Sequence, residues 1–217
     1  GLRADAVVTL KSTVPGGTAR LISERLWPLG IGVVSSPEFL REGRAIADFE
    51  HPDRIVVGAD SRSDTAAVCA AYDVDPATVL QMSPESAELA KYASNAFLAV
   101  KLSYTNSLAQ LCHRYGADVA DVTACMGADA RIGSGFLQPG PGWGGSCLPK
   151  DTAALVHSAR SQGVAMAEVQ RPRAGPSGRN FFHTGSAFQR TGTHAQRTCV
   201  GVRSHVHLVV GGWCRAG

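Results

Sequence analysis

The feature that most constrains the fold is the stretch 84–115, which contains no Gly and no Pro after its first residue. Ser83 suits the N-cap, Pro84 the first helical position, and Gly116 the position just beyond a helix end. The stretch therefore predicts one α-helix of about 32 residues, about 48 Å long at 1.5 Å per residue. Its apolar side chains lie around most of the circumference, which predicts a helix buried by several partners.

Residues 1–80 alternate short β-branched runs with helical patterns. Strands are predicted at 6–10, 32–34 and 54–58, and helices at 18–27 and 63–72. This order is typical of a doubly wound, Rossmann-like α/β sheet. Because no Gly-x-Gly-x-x-Gly turn follows a strand, only the later half of such a domain is expected.

The remaining predicted elements are shorter. They are a linker at 73–81, a helix at 119–126 that Asp118 caps and Gly127 ends, and a helix at 151–162. The predicted fold class is α/β, with a partial parallel-sheet domain at 1–80, an all-α central region at 81–166 and an irregular tail at 167–217.

The tail differs from the rest of the chain in charge. All 18 acidic residues precede residue 171, whereas 171–217 carries seven Arg and four His. We interpret the tail as an out-of-frame translation of a GC-rich gene from about codon 166, largely disordered, with a stray strand at 206–210. A basic tail that binds nucleic acid is the alternative, although its sparse aromatic residues argue against base stacking. His205 and His207 are too few ligands to predict a metal site.

Several classes of protein are disfavoured by the whole sequence. No run of 18 apolar residues predicts a membrane span, and the start, which lacks Met and already reads as the middle of a domain, shows no signal peptide. The six cysteines include no Cys-x-x-Cys pair. We therefore expect reduced thiols and a cytoplasmic location.

A glycine-rich loop at 140–146 delivers Cys147 close to the start of the helix predicted from Asp151. Glycines such as Gly144 let the backbone take positive φ and let a ligand come close. A helix N-terminus and the nearby Lys150 both favour thiolate, the nucleophilic form of cysteine. The alternative is a small buried cysteine in a turn. Asp151 is also a plausible N-cap.

Four polar residues outside this loop are further candidates. Lys91 and Asn95 lie one turn apart on the long helix, where they could stabilise an oxyanion or form a structural pair. Glu38 follows a predicted strand and has Glu42 nearby, so these carboxylates could supply a base or simply be solvated. Thr13 also follows a strand, at the sheet edge where ligands bind in such folds.

Four segments resemble, in the same order, motifs of the UDP-glucose/GDP-mannose dehydrogenase family. They are Lys-Ser-Thr-Val-Pro-Gly at 11–16, Ser-Pro-Glu-Phe-Leu-Arg-Glu-Gly at 36–43, Glu-Leu-Ala-Lys-Tyr-Ala-Ser-Asn-Ala-Phe at 88–97, and Gly-Trp-Gly-Gly-Ser-Cys-Leu-Pro-Lys-Asp at 142–151. The resemblance covers about residues 4–166. The family's first dinucleotide-binding unit and its nucleotide-sugar domain have no counterpart in the sequence.

The resemblance implies a two-step oxidation, with NAD as cofactor, of a nucleotide sugar's C6 alcohol to the uronic acid through a cysteine thiohemiacetal and thioester. The catalytic residues that it implies are Cys147, Lys91, Asn95, Asp151, Glu38 and Thr13. The substrate-binding residues are Phe39, Leu40, Arg41, Glu42, Arg131, Phe136, Leu137 and Gly144. The cofactor contacts are Thr13, Glu42 and Lys150.

The resemblance also implies a partial NAD-binding domain at 1–80, a dimerisation and catalytic region at 81–166, and a homodimer through the long helix. UDP-glucose is the expected substrate, favoured by Asp-Arg-Ile-Val-Val-Gly at 53–58. GDP-mannose and UDP-N-acetyl sugars are alternatives. We expect the isolated chain to be inactive, because half a cofactor cleft holds NAD poorly. A remnant without catalysis, which dimerises or binds nucleic acid through its tail, is the third interpretation.

Overall fold

A computed structural model describes residues 2–41, 43–72 and 75–170 and the backbone of 208–210. These residues form two compact units. The N-terminal unit contains the chain up to Lys91 together with 208–210, and the C-terminal unit starts at Tyr92. Two predictions concern the tail: that it is largely disordered, and that His205 and His207 do not form a metal site. Apart from 167–170 and 208–210, the tail lies outside the described residues.

The N-terminal unit is built on one sheet. Its described strands are β1 (Val7–Leu10), β2 (Gly32–Ser35), β3 (Ile55–Gly58), β4 (Val79–Met82) and β5 (Leu208–Val210), in the order β4-β3-β2-β1-β5. β1 pairs with β2, and β3 with β4, in parallel. β5 pairs with β1 in the antiparallel direction. β3 is also antiparallel to β2, through the single pair Ser35↔Gly58. The sheet is therefore mixed and not purely parallel, although the α/β class is confirmed.

Two elements of this unit were not predicted. β4 lies at a sheet edge and Leu80 is exposed, so it lacks the apolar run that marks a buried strand. A six-residue helix, α2 (Ala45–Glu50), also lies between β2 and β3, where no helix was predicted. Its apolar residues Ile46 and Phe49 are both exposed, so no buried stripe announces it.

The other helices cover the sheet with apolar residues. They are α1 (Thr18–Leu26), which continues into a 3₁₀ turn at Trp27–Leu29, and α3 (Arg62–Cys69); a second 3₁₀ turn at Pro76–Thr78 precedes β4. One core cluster contains Val8, Leu10, Ala19, Ile31 and Val33, and a second contains Val34, Ile55, Val57 and Val68. The β-branched strand residues thus supply most of the core.

The long helix is confirmed as α4 (Pro84–Tyr115), 32 residues long. The hydroxyl of Ser83 accepts from the amide of Ser86 at 3.2 Å, and Gly116 has a φ of 68°, so both ends carry the expected signals. The described elements of this one chain do not bury α4 on every side. Within the described residues, large side chains including Phe97 and Tyr104 are exposed along α4.

The C-terminal unit adds three shorter helices, α5 (Val119–Ala128), α6 (Leu148–Ser161) and α7 (Ala167–Gln170). Asp118 caps α5 by accepting from the amide of Ala120, as predicted, but the helix continues through Gly127. α6 starts three residues before its predicted start. α7 corrects the prediction of irregular structure from residue 167, because Val169 packs with Tyr92, Ala96 and Leu155.

Candidate active site

The thiol segment starts α6. Cys147 occupies the N-cap position of this helix and is exposed, so it is not the buried cysteine of the alternative interpretation. Gly142 and Gly145 have φ values of 142° and 80°, which only glycine adopts readily. Gly144 lies in open space, with no atom within 4 Å of where a Cβ would stand. The loop thus presents the sulfur to the outside of its unit.

Side chains of α4 fix this loop. The indole Nε1 of Trp143 donates to Ser103 Oγ at 2.8 Å, and the amide of Gly140 donates to Asn106 Oδ1 at 2.8 Å. Lys101 Nζ donates to the carbonyl of Ile132 at 3.1 Å, in the segment between α5 and this loop. Sequence reasoning missed these anchors. The only signal in the sequence is that Ser103 and Asn106 lie three residues apart, on one helix face.

Asp151, in the first turn of α6, is a buried carboxylate with two side-chain partners. Asn95 Nδ2 donates to Asp151 Oδ2 at 2.5 Å, and Lys150 Nζ donates to Asp151 Oδ1 at 2.5 Å. Asp151 is fully buried and Asn95 is 8% exposed. Asp151 is the fourth residue of α6 and not its cap, because the helix starts at Leu148. Cys147 is joined to Asp151 through its carbonyl, which accepts from the Asp151 amide at 2.9 Å.

Thr152 was not predicted as a site residue. Among the described residues, its hydroxyl is the one buried side-chain polar atom without a hydrogen-bond partner. Leaving such a group unsatisfied costs about 1–3 kcal/mol.

In the N-terminal unit, Phe39 lies beside two cations. Lys91 Nζ is 5.0 Å from the centre of its ring, and the guanidinium carbon of Arg54 is 4.0 Å away. Lys91 is only 8% exposed. A cation–π contact stabilises by about 0.5–2 kcal/mol, depending on burial. The Phe39 side chain therefore limits where the amine of Lys91 can lie, a role beyond the predicted substrate contact.

The segments after β1 and β2 meet at the carboxyl edge of the sheet, as their parallel pairing requires. Lys11, which sequence reasoning did not single out, connects them. Its Nζ lies 3.4 Å from Ser36 Oγ, 2.5 Å from the hydroxyl of Tyr72 and 3.8 Å from the Glu38 carboxylate. Thr13, two residues on from Lys11, is half-buried. Glu42 lies outside the described residues.

The side chain and backbone of Arg41 are engaged within the protein. Its guanidinium and its amide both donate to Asp48, and its carbonyl accepts from Arg44. These bonds from Arg41 hold the pKa of Asp48 at about 2, below its ordinary value. Leu40, beside it, is partly exposed. The bonds to Asp48 use Nε and Nη2 of the guanidinium, so a ligand can accept from Nη1 without breaking them.

The substrate residues predicted in the C-terminal unit differ in availability. Arg131 is exposed and pairs with Asp129 at 2.6 Å. Phe136 has a φ of 62° and is partly exposed, a conformation that is strained for a residue with a side chain. Leu137 is 4% exposed, so its side chain belongs to the core and only its backbone could reach a ligand.

Only some of the positions at which a doubly wound sheet binds a dinucleotide are available in the N-terminal unit. The carboxyl ends of β1 and β2 form the edge where doubly wound sheets bind such ligands, and Thr13 and Glu38 lie there. A pyrophosphate commonly sits on the N-terminus of a helix at this edge. In α1 that position is taken, because the Glu88 carboxylate accepts from the amides of Gly17 and Ala19. The described residues thus fit NAD at the sheet edge and not at the N-terminus of α1.

Comparison with known proteins supports the expected family. Residues 1–74 match the NAD-binding domain of the UDP-glucose/GDP-mannose dehydrogenase family, and residues 85–174 match its central domain. The UDP-glucose 6-dehydrogenase of Rhizobium meliloti is 48% identical over 78% of this chain and 41% of its own length. UDP-glucose 6-dehydrogenase TuaD of Bacillus subtilis is 46% identical over 72% of this chain and 35% of its own.

Among solved structures, a UDP-glucose dehydrogenase from Pyrobaculum islandicum superposes with a TM-score of 0.71 at 43% identity, over 76% of this chain and 39% of that one. The chain spans about two fifths of the length of these relatives. No helix in the described part of the chain is long and apolar enough to cross a membrane. With both of the matched domains present and in order, the chain belongs to the UDP-glucose/GDP-mannose dehydrogenase family.

Proposed function

We propose that this chain supplies the catalytic cysteine and part of the NAD-binding domain of a UDP-glucose 6-dehydrogenase. The observation that carries the proposal is the first turn of α6. There an exposed Cys147 precedes the buried Asp151, which is held by Asn95 and Lys150. Such a preorganised polar group beside a nucleophile suits acyl chemistry.

The proposed reaction oxidises C6 of the sugar twice. Loss of a hydride and a proton turns the alcohol into an aldehyde, and Cys147 Sγ then adds to C6 to give a thiohemiacetal. Loss of a second hydride and the hydroxyl proton gives a thioester. Water attacks the thioester, which releases the carboxylate and returns the thiol. NAD, when bound, accepts the hydride of each oxidation.

The side chains have distinct proposed roles in these steps. The Asn95 amide and the Lys91 amine stabilise the oxygen anion that forms at C6. Asp151 orients water or accepts its proton, since it is buried and hydrogen-bonded in place. Glu38 and Thr13, at the sheet edge, handle the hydrolytic water. Phe39, Leu40 and Arg41, with the loop residues Arg131 and Gly144, contact the nucleotide sugar.

UDP-glucose is the proposed substrate because the relatives at 48% and 46% identity carry it in their names.

We also infer a cytoplasmic location from the cysteine pattern, and domain boundaries near residues 80 and 166. Each of these inferences extends beyond what the family assignment requires.

The function can be tested in a chimera, in which residues 4–166 replace the matching segment of the Rhizobium meliloti enzyme. We expect the chimera to form NADH and UDP-glucuronate from UDP-glucose. Cys147→Ser should lower UDP-glucuronate formation at least about a thousandfold, because no thioester can form. NADH absorbance and chromatography of the sugar nucleotide measure both products.

Cys125→Ser is the matched control, since Cys125 is also free and exposed but lies on α5, away from the loop. It should leave the rate within about twofold of the parent. A Cys147→Ser chimera that still forms UDP-glucuronate at the parent rate contradicts the proposal.

We also propose that the chain forms a homodimer through α4. Phe97, Tyr104 and Leu111 are at least half exposed and follow one another at intervals of seven residues, so they lie on one side of the helix. An apolar stripe of this kind, spaced as in a coiled-coil seam, suits a second copy of the same helix.

Charged substitutions on this stripe should separate the copies. Phe97→Glu with Leu111→Glu is expected to convert a dimer to a monomer in light scattering after gel filtration, because two charges per copy would be buried. Leu21→Glu, at an equally exposed leucine of α1, should leave the dimer intact. A parent chain that is monomeric at high micromolar concentration would argue against this interface.

A further inference from the structure

Glu88 is a buried charge for which the proposed chemistry has no use. It lies in the second turn of α4 and is only 2% exposed. Its Oε2 accepts from the amide of Gly17 at 2.6 Å, and its Oε1 accepts from the amide of Ala19 at 2.8 Å. Both oxygens of one carboxylate are therefore committed to the N-terminus of α1, 69 to 71 residues away in sequence.

α1 has no cap of its own. Its N-cap residue is Gly17, with a φ of 87° and no side chain to accept a hydrogen bond. The first amides of a helix have no partner within the helix, and the helix dipole favours an anion beside them. Glu88 meets both needs from another helix, as a bound phosphate or carboxylate would.

A separate and more exposed ion pair joins α1 and α4 beside Glu88. Arg20, in the first turn of α1, binds Glu85 at 2.9 Å and Asp60 at 2.5 Å. These groups are partly exposed, whereas Glu88 is buried. Burial raises the pKa of Glu88, while the bonds from Ala19 and Gly17 and the nearby amide of Thr18 oppose that rise. Glu85 is the neighbouring acid that adds to it.

We propose that Glu88 is an internal anion that occupies the N-terminus of α1 and thereby fixes the 11–17 segment to α4. This segment carries Thr13, and α4 carries Lys91 one turn after Glu88. The turn before α1 transmits the constraint, since the amide and hydroxyl of Thr18 both donate to the carbonyl of Pro15. Glu88 is thus a positioning residue; its catalytic meaning rests on the proposed function, but the anchoring itself does not.

Nuclear magnetic resonance of the full chain tests the anchoring. In the parent, a scalar coupling across the hydrogen bond should connect the Gly17 amide nitrogen to the Glu88 carboxyl carbon. In Glu88→Ala, the amides of Gly17 and Ala19 should exchange with solvent at least about tenfold faster. Formate or acetate should restore both the slow exchange and the lost melting temperature, because a small carboxylate fits the vacated position; chloride should not.

Glu88→Gln provides a gentler variant if Glu88→Ala does not fold. Its side chain keeps a single acceptor oxygen, so one of the two amides should exchange faster and the other should not. Glu85→Ala is the matched control, and it should leave both amides as in the parent, because Glu85 binds Arg20 instead. Absence of the coupling in the parent, or unchanged exchange at both amides in Glu88→Gln, overturns the proposal.

The chimera separates anchoring from function. There Glu88→Gln should lower kcat several-fold with the KM for UDP-glucose unchanged, as expected if Thr13 is displaced from the chemical step. A parallel loss in kcat and stability in the Glu88→Ala chimera that acetate does not reverse would mean a structural role only, and would overturn the positioning role. An inactive chimera with the amide results intact would instead count against the proposed function.

Discussion

Gly58→Ala is expected to destabilise the N-terminal unit by about 2–3 kcal/mol, because a methyl group at this position has no space. A Cβ on Gly58 would lie 2.5 Å from the Cβ of Ala87, 2.9 Å from the carbonyl oxygen of Ser83 and 3.0 Å from the Cα of Pro84. Two of these atoms belong to the backbone at the start of α4. They cannot move aside without lifting α4 from the end of β3.

The position of Gly58 in the sheet leaves the backbone little freedom to shift and relieve this clash. Gly58 pairs with Met82 on β4 and with Ser35 on β2, so it is held from both sides. Ala87 is fully buried. Because packed interiors respond to even one added methyl group, the strain should appear as lost stability and not as a local shift.

Urea unfolding measures this effect against a matched control. Gly135→Ala adds the same methyl group where nothing lies within 4 Å of the new Cβ, and it should change the free energy of unfolding by less than about 0.5 kcal/mol. If Gly58→Ala behaves like Gly135→Ala, α4 does not pack against β3 as described.

Asn95→Ala is expected to cost about 3 kcal/mol, because it leaves one oxygen of a buried carboxylate without a donor. Asp151 is fully buried, and its Oδ2 receives the Asn95 amide at 2.5 Å. Lys150 satisfies only the other oxygen. Truncating Asn95 therefore removes a charge-assisted hydrogen bond that compensates for the desolvation of the buried Asp151 carboxylate.

A double-mutant cycle resolves this pair. Asn95→Ala combined with Asp151→Ala should cost less than the sum of the two single changes, since the buried charge is then gone. Asn106→Ala is the control on the same helix: its amide oxygen accepts from Gly140 nearer the surface, so about 1 kcal/mol is expected. Additive costs at residues 95 and 151 would show that the two side chains do not interact.

The catalytic consequence of Asn95→Ala can be measured separately in the chimera. Loss of one oxyanion donor typically lowers kcat about a hundredfold or more. A variant that stays folded and keeps the parent kcat would leave Asn95 a structural residue and remove it from the proposed mechanism.

Several features of the fold could be predicted from sequence because their signals are local. The 32-residue helix α4 was predicted from Ser83, Pro84 and Gly116, and each acts within a turn of the helix end. β4 and α2 were missed, since an edge strand and a short exposed helix bury too little to leave a pattern. The sequence also predicted a parallel sheet, whereas β3 is antiparallel to β2. The residues of one strand do not indicate which strand it pairs with or in which direction.

The candidate site shows the same division. The cysteine loop, Lys91 and Asn95 could be named from motifs and spacing, and Cys147 lies exposed at the start of α6, near the helix N-terminus as expected. The partners of these residues could not be named. Lys11 beside Tyr72, Phe39 beside Arg54, and Ser103 beneath Trp143 all join parts of the chain that are far apart in sequence.

The sequence by itself determined where α4 starts and ends, which residues form the thiol loop, and the family to which the chain belongs, because these depend on neighbouring residues. Only the tertiary structure decided that Asp151 would be satisfied from 56 residues away and that Glu88 would cap a helix 69 to 71 residues away. The physical reason is that a buried polar group must find its partner wherever packing places one, and no local pattern records that choice.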